Sequence, residues 1–450
     1  MFKSINPYTG QKLGSYSYNT TQEINTVFEQ SEKAFDLWRQ VNIEERALQI
    51  KKIGSLLLDK KEAAAKIITE EMGKPIKEAI SEIEKCALLC DYYGENVKEL
   101  LKNNVVSTVK NSYVVYDPLG SILGIMPWNF PFWQVMRFAI PTVMIGNTVI
   151  LKHASNVPEC ALFLEKIFEE ALSVENVYQN IFCSNRTTEH SIGNDAVKGV
   201  SLTGSNKAGL SVAQTAAKHL KPIVLELGGS NALVAFEDVD IDKTVAECVN
   251  ARFVNNGQSC IAGKRLLIHE SIKQKFIDKL IAKVQELKVG DPLDMSTDIS
   301  VLAKREFVMI LEQQLDQSID EGATLLIGGK AEGYSFSPTI VSDVTKNMPL
   351  FKQETFGPVL AISTFSNEAE AIDLANATDY GLGVSLFSKD IERMKSLVPR
   401  LDDGAVFINS AVKSYPSLPF GGNKMSGIGR ELAGEGLKAF ANIKTVVIEN

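Results

Sequence analysis

Histidine is scarce, with four residues in 450: His153, His190, His219 and His269. None has the small-residue or turn setting of a papain-like base, so a cysteine–histidine dyad is not expected. The six cysteines (Cys86, Cys90, Cys160, Cys183, Cys248, Cys260) show no paired CxxC spacing. That spacing points away from a disulfide framework and from any metal site, and toward a reducing cytoplasm. Long apolar runs are missing too: the most apolar stretch goes only from Phe138 to Leu151 and is broken by Pro141 and Gly146. No transmembrane span is expected, and Met1 to Pro7 has no apolar leader core. Basic excess is absent, since 47 Lys and Arg stand against 55 Asp and Glu for a net charge of −8. Nucleic acid and anionic membrane are therefore excluded as main partners.

The composition is 45% apolar and 23% charged, which is that of an ordinary globular protein. A chain this long exceeds the roughly 250–300 residues at which one core stops growing, so two or three domains are expected. Gln22 to Glu99 reads as amphipathic helices, with Ile50, Ile53, Leu57 and Leu58 spaced among lysines. Asn104 to Asp117 reads as a β-rich stretch, and a short strand at Thr445 to Ile448 closes the chain. Between them strands and helices alternate: Ile122–Ile125, Thr148–Leu151, Val200–Leu202 and Ile223–Leu227, each followed by a turn or helix. A second series after Asn231 includes Arg265–His269. The alternation predicts an α/β fold of parallel sheets covered by helices.

Several segments could carry chemistry. Asn255 to Cys260 puts a thiol in a turn-rich segment, although free cysteines are more often buried packing residues. Such a thiol needs activation, because at its ordinary pKa only a few per cent is thiolate at pH 7. Leu225-Glu226-Leu227-Gly228-Gly229 places a carboxylate in an apolar strand ahead of two glycines. General base and structural ion pair are equally good readings of that segment. Asn129, in the turn Pro127–Pro131, is either a cap or an oxyanion donor. Leu202 to Gly209 follows a strand and opens a helix whose amides could hold a pyrophosphate. Lys152, at a strand end, could reach a ribose. The one GxGxxG/A match, Gly434 to Ala439, has too little chain after it for a βαβ unit and is set aside.

Taken in order, WNFP at 128–131, LKHAS at 151–155, TGS at 203–205, LELGG at 225–229, GQSC at 257–260, ETFGPV at 354–359 and PFGG at 419–422 resemble the aldehyde dehydrogenase superfamily along essentially the whole chain. The resemblance implies a Rossmann-like NAD(P)-binding domain (1–103 and 118–227), a catalytic domain (228–439), and bridging strands at 104–117 and 440–450 that join subunits into a homodimer or homotetramer. It implies that Cys260 is the nucleophile, Glu226 the general base and Asn129 the oxyanion donor. Trp128, Lys152, Ser155, Gly204, Ser205, Gly209, Glu354 and Phe356 would hold NAD or NADP, with Lys152 and Glu354 on the ribose. A serine at 155, where strictly NAD-dependent relatives often have glutamate, should permit NADP.

The substrate is narrowed by the same likeness. Arg137 falls where succinate semialdehyde dehydrogenases carry a carboxylate-gripping arginine, a task that suits a bidentate guanidinium. Ser414 could be a second contact. The pattern is closest to the short bacterial succinate semialdehyde dehydrogenases, which share LKHA. Glutarate semialdehyde, lactaldehyde and betaine-type aldehydes stay open, as do a catalytically idle scaffold and a cofactor-free cysteine hydrolase.

Overall fold

The computed structural model describes residues 1–102, 109 and 111–449. After a small hairpin, β1 (Phe2–Ile5) and β2 (Lys12–Tyr16), come α1 (Thr21–Trp38), α2 (Ile43–Asp59), α3 (Lys61–Met72) and α4 (Ile76–Leu100). The helical reading of Gln22 to Glu99 thus resolves into four helices. A capping box of Thr20 and Glu23 starts α1, satisfying amides that the first turn leaves open. These helices bury an apolar stripe that includes Trp38, Ile50, Ile53 and Leu57.

The first sheet is built from β4 (Ser121–Met126), β5 (Thr148–His153), β6 (Tyr178–Asn180), β7 (Val197–Thr203) and β8 (Ile223–Glu226). Its spatial order runs from Gly427–Ile428 through β8, β7, β4 and β5 to β6. All neighbours are parallel except Gly427–Ile428, which pairs antiparallel with β8. The helices α5 (Trp133–Ile145), α6 (Pro158–Ala171), α7 (Asn185–Gly193) and α8 (Asn206–Lys218) connect its strands. α5 is buried along its whole length, which explains why its sequence is apolar on every side.

The second sheet has seven strands. Its centre is β9 (Asn231–Ala235) and β10 (Gly263–His269), flanked by Val359–Phe365 on one side and Val384–Phe387 on the other. α9 (Ile241–Phe253) leads from β9 into the loop that carries Cys260. The expectation of two parallel α/β series is met, as is the start of the second at Asn231. Late in the chain, inside the span expected to be catalytic, Gly427–Ile428 crosses back to edge the first sheet, and Ala433–Lys438 packs against α5.

A separate ribbon pairs β3 (Ser112–Pro118) with Ala441–Val447, antiparallel. Of the expected bridging stretch 104–117, residues 104–108 and 110 lie outside the described residues. Among the described residues no helix is long and apolar enough to cross a membrane.

Candidate active site

Cys260 sits between the two sheets, in a loop whose shape is set by asparagines. Asn255 and Asn256 both adopt left-handed backbone (φ 54° and 56°), which asparagine tolerates better than other side chains that carry a Cβ. Asn256 donates to Gly73 O at 3.0 Å and Val301 O at 2.9 Å and accepts from Ser300 N at 2.8 Å. Asn255 donates to Asn129 O at 2.7 Å and to Gln258 O at 3.0 Å. The cysteine loop is thereby tied to the Asn129 turn. Asn129 Nδ2 in turn donates to Gln258 O at 3.1 Å, so one of its two amide hydrogens is used to fix its orientation and the other remains available.

A cavity of about 310 Å³ opens onto Cys260. Trp128, Asn129, Gly204, Ser205, Glu354 and Phe356 line it, six of the residues expected from sequence. Trp128 packs edge-on to Phe356 (5.7 Å) and stacks on Phe307 (4.9 Å, 21°), which makes one wall aromatic. Gly204 and Ser205 stand where β7 ends and α8 begins, and the Ser205 hydroxyl caps that helix through Ala208 N at 3.4 Å. The N-terminus of this 13-residue helix therefore stands at the cavity wall, and the positive end of its dipole suits an anionic group.

Other expected residues fall outside this cavity. Lys152 is the last residue but one of β5, half-buried, and burial lowers its pKa; Ser155 is exposed in the following turn. Gly209 does not line the cavity. A Cβ there would lie 2.6 Å from Leu227 Cδ2, so its smallness lets α8 pack against the sheet. Glu354 does reach the cavity, yet its carboxylate also accepts from Gly229 N at 3.0 Å and lies 3.3 Å from Lys264 Nζ.

Glu226 is buried at the end of β8, and among the described residues its Oε1 has no hydrogen-bond partner. A Cβ on Gly421, in the PFGG segment, would come 2.7 Å from that oxygen, so the glycine leaves space beside it. Burial raises the Glu226 pKa well above the ordinary carboxylate value, with Arg137 opposing the rise and Glu431 adding to it. The structural ion pair weighed for Glu226 is found elsewhere: it is Glu431 that pairs with Arg137.

Arg137 is engaged within the same cluster. It is fully buried, with Nε on Glu431, Nη2 3.4 Å from Thr203 Oγ1, and its guanidinium 4.5 Å over the Phe420 ring. Burial opposes its charge, but Glu431 and Glu226 outweigh burial and its pKa is raised. The arginine expected to grip the substrate's carboxylate is thus ion-paired through Nε with a carboxylate of its own chain. Ser414 is buried and accepts from Lys85 Nζ at 2.7 Å and Trp133 Nε1 at 3.1 Å.

Cys260 is the one partly exposed cysteine among the described residues, the other five being buried. Protein crowded around its sulfur raises the thiol pKa, while Lys264 and Arg137 pull it down. No histidine helps: His153 is buried, its ring nitrogens lie 3.2 Å from Met126 O and 2.9 Å from Pro131 O, and burial lowers its pKa to about 4. It braces the Asn129 turn as a neutral ring. Sequence reading missed Lys264, a fully buried lysine that donates to Ser259 O at 2.8 Å and Cys260 O at 2.6 Å. Its place four residues after the thiol was the available signal. Lys264→Met should move the midpoint of Cys260 alkylation by iodoacetamide upward in pH, because a cation favours the thiolate. An unchanged midpoint would leave Lys264 with a purely structural task.

Comparison with known proteins agrees with this geometry. The model of the aldehyde dehydrogenase family matches residues 1–446. A Synechocystis protein named as a probable NADP(+) succinate-semialdehyde dehydrogenase is 42% identical over 99% of both chains. The crystal structure of succinic semialdehyde dehydrogenase from Streptococcus pyogenes, in complex with NADP+, superposes over 100% of both chains with a TM-score of 0.97 at 35% identity. Glyceraldehyde-3-phosphate dehydrogenase from Methanocaldococcus jannaschii, complexed with NADP, superposes over 100% of this chain and 99% of that one, with a TM-score of 0.95 at 33% identity. With the thiol, the amide and the helix-capped cavity in place, the full-length match means that this chain belongs to the aldehyde dehydrogenase family.

Proposed function

We propose that the protein oxidises succinate semialdehyde to succinate with NAD or NADP. The observation that carries the chemistry is the meeting of Cys260 with Asn129 in one cavity wall, with the buried carboxyl oxygen of Glu226, unpartnered among the described residues, within electrostatic reach of the thiol. The Cys260 thiolate adds to the aldehyde carbon, and the carbonyl electrons move to oxygen. The free hydrogen of the Asn129 amide steadies that oxyanion, a contribution of roughly 3 kcal/mol for a well-placed donor. NAD(P), when bound, supplies the acceptor for the hydride lost as the carbonyl re-forms and leaves a Cys260 thioester. Glu226 then takes a proton from water, whose oxygen attacks the thioester carbon; the C–S bond breaks and the acid leaves. A base retained at 226 favours hydrolysis over transfer to coenzyme A.

Lys152 and Ser155 are assigned to the adenosine ribose and, in NADP, its phosphate; the exposure of Ser155 and the absence of a carboxylate there suit a 2′-phosphate. The choice of succinate semialdehyde is supported by the names of the relatives in Synechocystis and Streptococcus pyogenes and by cationic side chains near the thiol. The division into a cofactor-binding part and a catalytic part belongs to the same reading, as does a cytoplasmic setting, which suits six unpaired cysteines. The ribbon of β3 and Ala441–Val447 is the surface for homo-oligomer formation, since it leaves Ile443, Val447 and Ile448 exposed. Reduced-nicotinamide absorbance, with succinate semialdehyde against butanal and with NAD and then NADP, tests the assignment. At least about a tenfold advantage in kcat/KM for the semialdehyde is expected, equivalent to ~1.4 kcal/mol. Parity with butanal would remove the semialdehyde while leaving the thiol chemistry standing.

A further inference from the structure

We propose that Glu78 and Glu82, one turn apart on α4, are positioning residues that hold Asn129 and Cys260 in register for oxyanion capture. The inference rests on the assignment of Asn129 as the oxyanion donor and adds to it two carboxylates from a helix none of whose described residues lines the cavity.

Three contacts carry it. Glu78 Oε2 accepts from the Asn255 amide at 2.6 Å, at the head of the loop that ends in Cys260. Asn255 in turn donates from its side chain to Asn129 O at 2.7 Å, so Glu78 grips the residue that ties the two catalytic segments together. Glu82 Oε1 accepts from the amides of Phe132 and Trp133 at 2.8 and 2.9 Å, just past Asn129 in the chain. Four positions apart in a helix, the two carboxylates project from one face. α4 therefore meets the Asn129 turn twice, directly through Glu82 and by way of Asn255 from Glu78.

The charges fit a holding role. The second oxygen of Glu82 pairs with Lys74, whose ammonium lies 3.8 Å over the ring of Phe130, the neighbour of Asn129. Lys74 and Glu82 are both buried. A buried ion pair is a costly way merely to fill space, since apolar side chains of like volume often stabilise as well or better. What the carboxylates supply instead is directed, charge-assisted acceptance of amide hydrogens. Asn255 needs such a hold, because its left-handed backbone is a conformation that persists where the surroundings impose it. In the reaction the aldehyde carbon must meet the thiol while its oxygen meets the Asn129 amide. A displacement of about 1 Å in such an arrangement costs on the order of a hundredfold in rate.

The test uses the full-length enzyme and follows the first hydride transfer in a single turnover, counted per NADP-binding site so that unfolded protein does not enter. Glu78→Leu removes the acceptor and should slow that step at least about tenfold while leaving the Kd for NADP within about twofold. Glu78→Gln keeps an oxygen for the Asn255 amide and should bring the rate back to within about threefold of the parent. In an Asn129→Ala background, Glu78→Leu should change the rate by less than about twofold, because effects of residues that act through one another do not add. Lys74→Met with Glu82→Gln should likewise stay near the parent rate, and Lys74→Met with Glu82→Leu should be slow. Glu78→Asp, which withdraws the carboxylate by one methylene, takes the place of the leucine variant if that one does not fold. Equal losses from Glu78→Leu with and without the Asn129 side chain would show a packing role and overturn the proposal, as would a glutamine variant no faster than the leucine one. A single Asn129→Ala variant as fast as the parent would instead remove the oxyanion assignment, and the proposal with it.

Discussion

Replacing Cys260 with serine should reduce aldehyde oxidation by at least about a thousandfold, with no burst of reduced cofactor in a single turnover. The size follows from chemistry at one atom. A thiol is intrinsically far more acidic and nucleophilic than a serine hydroxyl, which needs an adjacent base, and His153 is turned into backbone carbonyls. The fold should survive, because sulfur to oxygen is a small change at a partly exposed position. Near-ultraviolet circular dichroism and NADP binding should match those of the parent. Wild-type turnover from the serine variant would move the nucleophile elsewhere, and the other five cysteines, all buried, would have to be reconsidered.

Glu226→Gln should separate the two halves of the reaction. Hydride release in the first turnover survives, since it needs only Cys260 and Asn129, while steady-state turnover falls by about 10²- to 10⁴-fold for want of a proton acceptor. A thioester should accumulate and be visible by mass spectrometry of the quenched protein. The pH dependence follows from the raised pKa of Glu226. A carboxyl group serves as base only when ionised, so hydrolysis in the parent enzyme should accelerate as pH rises through that elevated value and slow as pH falls below it. The glutamine variant has no such group and its residual hydrolysis should lose that dependence. Unchanged steady-state rates would remove Glu226 from the mechanism.

Much of this arrangement is legible in sequence because local chemistry demands it. The turn of Trp128 and Asn129, the strand end at Glu226 and the asparagine-rich loop before Cys260 each announce themselves within ten residues. The parallel sheets are equally plain, since buried strands read as short apolar runs between helical patterns. What cannot be read locally is which charged group meets which. Arg137 finds Glu431 across 294 positions, and Lys85 finds Ser414 across 329, so neither pairing leaves a mark in its own neighbourhood. Gly209 is ambiguous in sequence for a related reason: a glycine after a strand can admit a phosphate or a neighbouring leucine, and the leucine at 227 is visible only in the packing. Lys264 was overlooked because a lysine near the start of a strand reads as solvated unless burial is known.

The antiparallel edge that Gly427–Ile428 adds to β8 bears on how the protein reaches this state during synthesis. The first sheet begins at Ser121, yet the strand that flanks Glu226 and the carboxylate that neutralises Arg137 leave the ribosome only after more than nine-tenths of the chain has been made. Until then the emerging polypeptide holds an open sheet edge and an unmatched guanidinium inside an otherwise assembled half. Contacts spanning such separations slow folding, and unpaired edges invite association with other chains. Truncation ahead of Gly427 would leave that edge open and that guanidinium unmatched, so the same late strand closes both the sheet and the surroundings of Glu226.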